Sequence, residues 1–298
     1  MRVLILLKVV CDAAVPVLVR EETGRIREEW NVKTLNPFDL SCLQSLRNLK
    51  DRVPNVRVTV VHLGPQENDV FLLEALSFGC DSAIRVWDDD LSDMCLSSRA
   101  KAFILERVAR IWGFDLLLAG ARSADNSSGQ VPLLLAKRLS VPCVVDVVEI
   151  EEVSEGKMRV LKALERGKRR RIEVSLPAIL AVGCVPAKRH APLGTPLVQK
   201  GEVIEVLSLS DLGITRELIR GMGNLEGLDR LLPPRPKLRQ IEAPPSYLHA
   251  FDRIQRLVQG EIKARGGRIV KGGKEEIAEM ILSFLIEEGW LRGPKGQG

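Results

Sequence analysis

The stretch DLLLAGARSADNSSGQVPLLLAKRLSVP (Asp115–Pro142) decides the fold class of this chain. An apolar run, 116–119, ends in a loop of small residues, Gly120–Gly129, and a helical pattern with Leu133, Leu134, Ala136 and Leu139 on one side follows at once. In such a strand–loop–helix unit, free backbone N–H groups and the positive end of the helix dipole point at the same spot. The stretch therefore predicts an anion-binding loop, with a solvated connection between strand and helix as the alternative.

Three strand–helix pairs precede this stretch. Met1–Val10 and Val56–Pro65 are apolar runs typical of strands covered on both faces, and FGCDSAIRVWD, residues 78–88, predicts a helix stop and a third, shorter strand. Each is followed by a helical pattern, the first with Asp39 as its predicted N-cap and the last over Ser97–Trp112. Four strand–helix repeats predict an α/β fold, a mostly parallel, twisted, Rossmann-like sheet with helices on both faces.

The pattern changes in the second half of the chain. From Val144 onward, apolar and polar residues alternate in three segments, which predicts antiparallel strands at a sheet edge, and Leu176–Val185 returns to a buried strand. After about residue 194 the sequence is rich in Gly and Pro and ends in two amphipathic helices. We therefore expect an α/β nucleotide-binding domain over 1–194. Residues 195–298 should form a C-terminal arm and helices that pack on this body or on a partner subunit.

Composition narrows the function classes. The 298 residues carry a net charge of +5 and only 4% aromatic side chains, which is poor material for base stacking, so we expect no nucleic-acid partner. The six cysteines show no CxxC and no metal-ligand spacing, and we expect no metal site. With no signal-peptide pattern and no run of 18 apolar residues, the chain is expected to be cytoplasmic, without membrane insertion.

Motifs of the common catalytic and nucleotide-binding classes are missing from the sequence. There is no GxSxG, no GxxxxGK[ST] and no GxGxxG after the first strand, so neither a hydrolytic triad nor the usual phosphate loops are expected. The loop Gly120–Gly129 remains as a phosphate cradle, with Ser127, Ser128 and Gln130 as added donors. The loop alone does not separate AMP from a flavin pyrophosphate or ATP.

Six segments in order resemble the β subunit of electron transfer flavoproteins. They are RVLILLKVVCD, LNPFDLSCLQSL, VVHLGP, LEALSFGCDSAIRV, the loop after the fourth strand, and LPAILAVGCVPAKRHAPLGTPLVQK. The resemblance implies an electron carrier rather than a substrate-converting enzyme, with no catalytic side chain. It further implies a heterodimer in which FAD is shared with an α subunit, and electron exchange with flavin-dependent dehydrogenases or a quinone oxidoreductase.

The resemblance also assigns residues. Leu193 matches the leucine through which the family contacts its redox partners. The positions that match the family's nucleotide site are Leu6, Asn36, Pro37, Phe38, Asp39, Leu63, Gly120, Ala121, Arg122, Ser123, Ala124, Asp125, Asn126, Ser127, Ser128, Gly129, Gln130 and Val131. By this resemblance, they are expected to bind an adenine nucleotide at the carboxyl ends of the strands.

The resemblance leaves the identity of the nucleotide open. Members that bind AMP carry Asn-Gln-Thr at the phosphate, whereas this chain has Gly129-Gln130-Val131, and its Gln-Val-Pro run is similar to members that bind a second FAD and bifurcate electrons. AMP and a second FAD are therefore both expected occupants. A stand-alone ATP/AMP-binding regulator of the universal-stress type is the alternative function, but its G-x2-G-x9-G-S/T run is missing from the sequence.

Overall fold

The computed structural model describes residues 1–12, 14–16, 18, 30–88, 91, 96–154, 156–184, 204–222, 244–259 and 272–287. The chain divides into two compact units, Met1–Pro233 and Pro234–Gly298. The domain boundary predicted after residue 194 lies outside the described residues.

A nine-stranded sheet forms the first unit within these described ranges. Its strands are, in chain order, β1 (Arg2–Leu7), β4 (Arg57–Leu63), β5 (Ser82–Val86), β6 (Leu116–Gly120), β7 (Cys143–Ser154), β8 (Lys157–Ala163), β9 (Arg169–Ser175), β10 (Ala178–Val182) and β11 (Ile204–Leu207). A small antiparallel ribbon, β2 (Val9–Cys11) with β3 (Lys33–Leu35), follows β1. The order in the sheet is β11-β5-β4-β1-β6-β10-β7-β8-β9.

The pairing confirms the predicted fold class. All neighbours from β11 to β7 run parallel, while β8 and β9 pair antiparallel beyond β7, as the alternating pattern after Val144 predicted. The central strand β1 is buried on both faces, which explains its nearly continuous apolar sequence.

Helices cover both faces of the parallel part. They are α1 (Pro37–Arg52), α2 (Asp69–Ser77), α3 (Ser98–Trp112), α4 (Gln130–Leu139) and a short α5 (Arg216–Gly221). One apolar core joins one face of the sheet to α1 and α2, and a second core joins the opposite face to α3 and α4. Alternate residues of β1 supply both cores: Ile5 enters the first, whereas Leu4 enters the second.

Two predicted details were wrong. Helix α1 begins at Pro37 with Asn36 as its N-cap, so Asp39 lies inside the first turn and is not the cap. Proline suits the first helical position because its missing N–H would be unpaired there in any case. Helix α4 buries Leu135 and Ala136, while Leu133 is exposed, because three consecutive leucines leave the helical periodicity ambiguous.

The second unit contains the two predicted C-terminal helices, α6 (Ala250–Gln259) and α7 (Lys274–Glu287). Acidic residues occupy the first turn of each helix, where the helix dipole favours negative charge. No helix within the described residues is both long and apolar enough to span a bilayer.

Candidate functional site

The strand order reverses between β1 and β6, and a cavity of about 320 Å³ lies at the carboxyl ends of these strands. Connections from neighbouring strands leave in opposite directions at such a point, which opens a crevice where doubly wound sheets bind ligands. The predicted residues that line this cavity are Leu6, Asn36, Asp39, Leu63, Gly120, Arg122, Ser123, Asn126, Ser128, Gly129, Gln130 and Val131. Residues far apart in the chain therefore meet around one cavity.

Asp39 joins the ends of the two central strands. One carboxylate oxygen accepts the N–H of Lys8, just after β1, at 2.7 Å, and the other accepts the N–H of Gly120 at 2.9 Å. Burial raises the pKa of Asp39 to about 7, although hydrogen bonds from Lys8, Asn36 and Gly120 act in the opposite direction. Asp39 thus fixes the width of the crevice through its contacts with the backbone.

Asn36 is hydrogen-bonded to the backbone of the loop after β6. Its Nδ2 donates to the carbonyl of Arg122 at 3.0 Å, and its Oδ1 accepts the N–H of Ala124 at 3.1 Å. The side chains of Asn36 and Asp39 are thus bonded to the backbone of Gly120, Arg122 and Ala124, and these hydrogen bonds hold the loop in position.

Lys8, which directly follows β1, contacts the same loop through its side chain. Its ammonium group contacts both carboxylate oxygens of Asp125, at 2.7 and 2.6 Å, and the hydroxyl of Ser123 at 3.2 Å. The contact with Lys8 and hydrogen bonds within the loop hold the pKa of Asp125 below its ordinary value, despite partial burial that acts to raise it. Lys8 lines the cavity. Its ammonium group, paired with Asp125, is thus a donor at the edge of the cavity.

The loop ends in a left-handed turn that starts α4. Gly129 caps the helix with φ +60°, and a Cβ on it would lie 2.8 Å from the carbonyl oxygen of Ala121. The first N–H groups of a helix have no partner within that helix, and no hydrogen bond from the N–H groups of Gln130 or Val131 is present among the described residues. These donors border the cavity together with Ser128, whereas the Ser127 hydroxyl donates to the Ser123 carbonyl.

The remaining predicted residues lie beside the cavity or elsewhere. Pro37, Phe38, Ala121, Ala124, Asp125 and Ser127 do not line it. The Arg122 guanidinium lies over the Phe38 ring, 5.5 Å from its centre, and both residues border a second cavity of about 470 Å³. Leu193 lies outside the described residues.

Apolar side chains also line the cavity. Leu63, Trp87, Leu96 and Leu105 line it, and so do two buried polar residues, His62 and Asn68. The sequence interpretation missed Lys8, His62, Asn68 and Trp87. Lys8 and His62 could have been found, because each is a polar residue at the carboxyl end of a buried strand, where ligands bind. Asn68 and Trp87 lie in connections that carry no such signal.

We expect His62 to make folding stability depend on pH. Burial, with smaller contributions from the positive charges of Arg85 and Lys33, lowers its pKa from 6.5 to about 4 even though the hydrogen bond to Leu7 acts to raise it. The unfolded chain then binds more protons than the folded chain between these values, so the free energy of unfolding should fall as the pH falls from 6.5 to about 4. His62→Gln should lack this contribution, so urea unfolding should show a stability difference between the variant and the unaltered chain that changes across this range.

The matched control for this experiment is His249→Gln, at an exposed position in the second unit. This change should leave the pH dependence of stability as it is. A His62→Gln chain with an unchanged pH dependence would contradict the assignment.

Comparisons with known proteins indicate the family of the chain. The family model described as "Electron transfer flavoprotein domain" matches residues 23–208. The chain is 27% identical to the electron transfer flavoprotein subunit beta of Bacillus subtilis over 243 residues, which cover 81% of this chain and 91% of that protein. It is 30% identical to the caffeyl-CoA reductase-Etf complex subunit CarD of Acetobacterium woodii over 222 residues, covering 73% of this chain and 82% of that protein. Protein FixA of Azotobacter vinelandii is 27% identical, with 78% and 86% covered.

Proposed function

Since this chain belongs to the electron transfer flavoprotein family, we propose that it is a β subunit that holds an adenine nucleotide in the cavity between β1, β4 and β6. Electrons pass through an FAD shared with an α subunit. The observation that carries the proposal is the meeting of a glycine-capped helix start, a lysine and an apolar pocket at the point where the strand order reverses.

The residues present fit such a nucleotide. The N–H groups of Gln130 and Val131 and the ammonium group of Lys8 would hold a phosphate, and Gly129 allows the left-handed turn that starts the helix. Leu63 and Trp87, which line the same cavity, would enclose the base. Asn36 and Asp39 already hold the loop in place, so binding of the nucleotide would require little further ordering of the loop.

AMP is the occupant that the cavity favours. The volume of the cavity, about 320 Å³, is at the small end of the range for ligand pockets. The smaller nucleotide suits it better, since FAD has more than twice as many non-hydrogen atoms as AMP. A second FAD is the other candidate, supported by the run Gln130-Val131-Pro132 and by the likeness to a subunit of a caffeyl-CoA reductase-Etf complex. This second occupant would make the complex a candidate for electron bifurcation.

The redox chemistry of the proposed complex belongs to the flavin, which takes up and releases electrons when bound. This chain contributes binding, orientation and the local electrostatic field. No side chain of the cavity is assigned the role of an acid or a base. Flavin-dependent dehydrogenases and a quinone oxidoreductase are the proposed electron donors and acceptors.

Leu193→Ala should slow electron exchange between the complex and a dehydrogenase partner about tenfold, because a leucine in a Pro-Leu-Gly run suits an anchor for a partner pocket. Flavin content should stay unchanged. Stopped-flow reduction measures the rate, and Leu133→Ala, at an exposed position on α4, is the control. Equal rates for the two variants would remove the anchor assignment.

Co-expression with an electron transfer flavoprotein α subunit tests the proposed function. We expect the purified pair to be yellow and to release both flavin and AMP in equal amounts on denaturation. Two flavins and no AMP would establish the second candidate. A colourless chain that binds neither flavin nor adenine nucleotide would overturn the proposal.

A further inference from the structure

The positive charge of the chain is concentrated in the hairpin of β8 and β9, residues 157–175, which we call the basic hairpin. It contains eight Lys and Arg residues and two Glu residues, a net charge of +6, whereas the whole chain carries +5. Every residue from 164 to 171 is exposed to solvent. The rest of the chain is therefore close to neutral, and an anionic partner would be drawn to this hairpin.

Glutamates neutralise only part of the basic hairpin. Three of its cations form ion pairs at 2.6–2.9 Å, namely Lys157 with Glu173, Arg159 with Glu152, and Arg171 with Glu151. Within the described part of the chain, no ion pair is found for the five cations around the turn, which are Lys162, Arg166, Lys168, Arg169 and Arg170. With Glu165 as the single acidic residue between them, residues 162–170 keep a net charge of +4.

The register of the two strands places like charges opposite each other. Lys162 lies directly opposite Arg170 in the pairing of β8 with β9. Like charges at such a position destabilise a sheet, whereas opposite charges stabilise it. A repulsive pair thus stands where the cations have no partners, and carboxylates from another molecule would relieve the repulsion.

Strand β9 is also an open edge of the sheet. It is the last strand of the sheet within the described residues, so it bonds to β8 on one side only. On the other side, N–H and C=O groups of β9 face away from the sheet at the spacing that an added strand requires. Nucleic acids and lipid head groups lack such a row of donors and acceptors. A second copy of the chain that paired edge to edge would bring an equally positive strand, which the like charges oppose.

We propose that the basic hairpin binds an acidic, extended segment of a partner protein, which adds to the sheet beside β9. The backbone of β9 supplies the hydrogen bonds between the strands, and the five cations around the turn bind carboxylates of the segment. No residue of the hairpin lines the cavity between β1, β4 and β6, so the proposal does not depend on the nucleotide.

Fluorescence anisotropy with labelled peptides and the full chain tests the proposal. A peptide of alternating Glu and Val should bind with a Kd below about 100 μM at low salt, and more weakly as salt screens the charges. A peptide of alternating Glu and Pro has the same charge, but its prolines remove strand hydrogen bonds, so it should bind about tenfold more weakly. Equal binding of the two peptides would overturn strand addition. Tighter binding of duplex DNA or of phosphatidylserine vesicles than of the Glu-Val peptide would overturn the assignment to a protein partner.

Charge reversal in β9 shows whether the peptide binds at this surface. Arg169→Glu combined with Arg170→Glu should weaken binding of the Glu-Val peptide about tenfold or more. Urea unfolding should show no loss of stability, since the change at Arg170 turns a repulsive pair with Lys162 into an attractive one. The matched control, Arg99→Glu with Lys137→Glu, alters the net charge equally at exposed helical positions and should leave binding unchanged. Equal losses of binding in the two double variants, or unchanged binding in the hairpin variant, would overturn the proposal.

Discussion

Replacing Asp39 with alanine is expected to lower the free energy of unfolding by about 2–4 kcal/mol, because the N–H groups of Lys8 and Gly120 lose their acceptor in a buried setting. The ends of β1 and β6 would no longer be tied together, so adenine-nucleotide affinity should fall with stability. Urea unfolding and calorimetric titration with AMP measure the two effects. Asp51→Ala, at an exposed position on the same helix, should change neither.

The conservative change Asp39→Asn keeps the shape of the side chain and removes its charge. Its amide oxygen can accept one N–H, but its NH₂ group would face the other donor, so we expect about half of the loss found for alanine near neutral pH. Burial raises the pKa of Asp39 from 3.8 to about 7, so the folded chain binds more protons than the unfolded chain between these values. Its contribution to stability should therefore fall as the pH rises from about 4 to about 7, and Asp39→Asn should lack this dependence.

Asp39 and His62 act in opposite directions over this range. Between about pH 4 and 6.5, rising pH weakens the contribution of Asp39 and strengthens that of His62. The unaltered chain should consequently show a flatter pH profile than either single variant. A steep profile in the unaltered chain that neither variant changes would show that other groups govern its pH dependence.

Gly129→Ala is the second large expected effect. Alanine at φ +60° costs about 1–2 kcal/mol, and its Cβ would lie 2.8 Å from the Ala121 carbonyl oxygen, so the start of α4 must shift. We expect a total loss of about 2–4 kcal/mol in the free energy of unfolding. A displaced helix start that costs about 1.4 kcal/mol of binding free energy would weaken AMP affinity about tenfold.

Gly156→Ala provides the matched control for Gly129→Ala. Gly156 has a similar φ, +70°, but a Cβ there would meet no atom within 4 Å. We expect it to cost about 1 kcal/mol of stability and to leave AMP binding unchanged. Equal losses of stability in the two variants, with unchanged affinity in both, would show that the contact with Ala121 is unimportant.

The reason why a side chain at Gly129 is expected to be harmful differs from what the loop sequence suggested. From composition, the small residues of Gly120–Gly129 were expected to let the backbone approach a phosphate. The structure adds that Gly129 is needed by the protein itself, because any Cβ would meet the Ala121 carbonyl. Likewise a Cβ on Gly120 would lie 2.3 Å from Oδ1 of Asp39, so this glycine makes room for the carboxylate that holds it.

Sequence patterns alone predicted the layered α/β fold, the antiparallel edge and the position of the loop between β6 and α4. Strand and helix periods of two and 3.6 residues are local properties, and so are the glycine, proline and small-residue signals that end each element. These signals placed β1, β6 and α4 in the correct order. They left the inward face of α4 ambiguous, because Leu133, Leu134 and Leu135 are equally apolar.

The contacts of the polar residues in the site became visible only in the folded structure. Asp39 has the local signature of a helix cap, yet its carboxylate bonds to Gly120, 81 residues away. The pairing of His62 with Asn68 and the contact of Lys8 with Asp125 likewise depend on which strand ends meet at the reversal point of the sheet. Hydrogen bonds between distant segments have no period in the sequence, because they follow from the packing of whole elements and not from the spacing of residues along one of them.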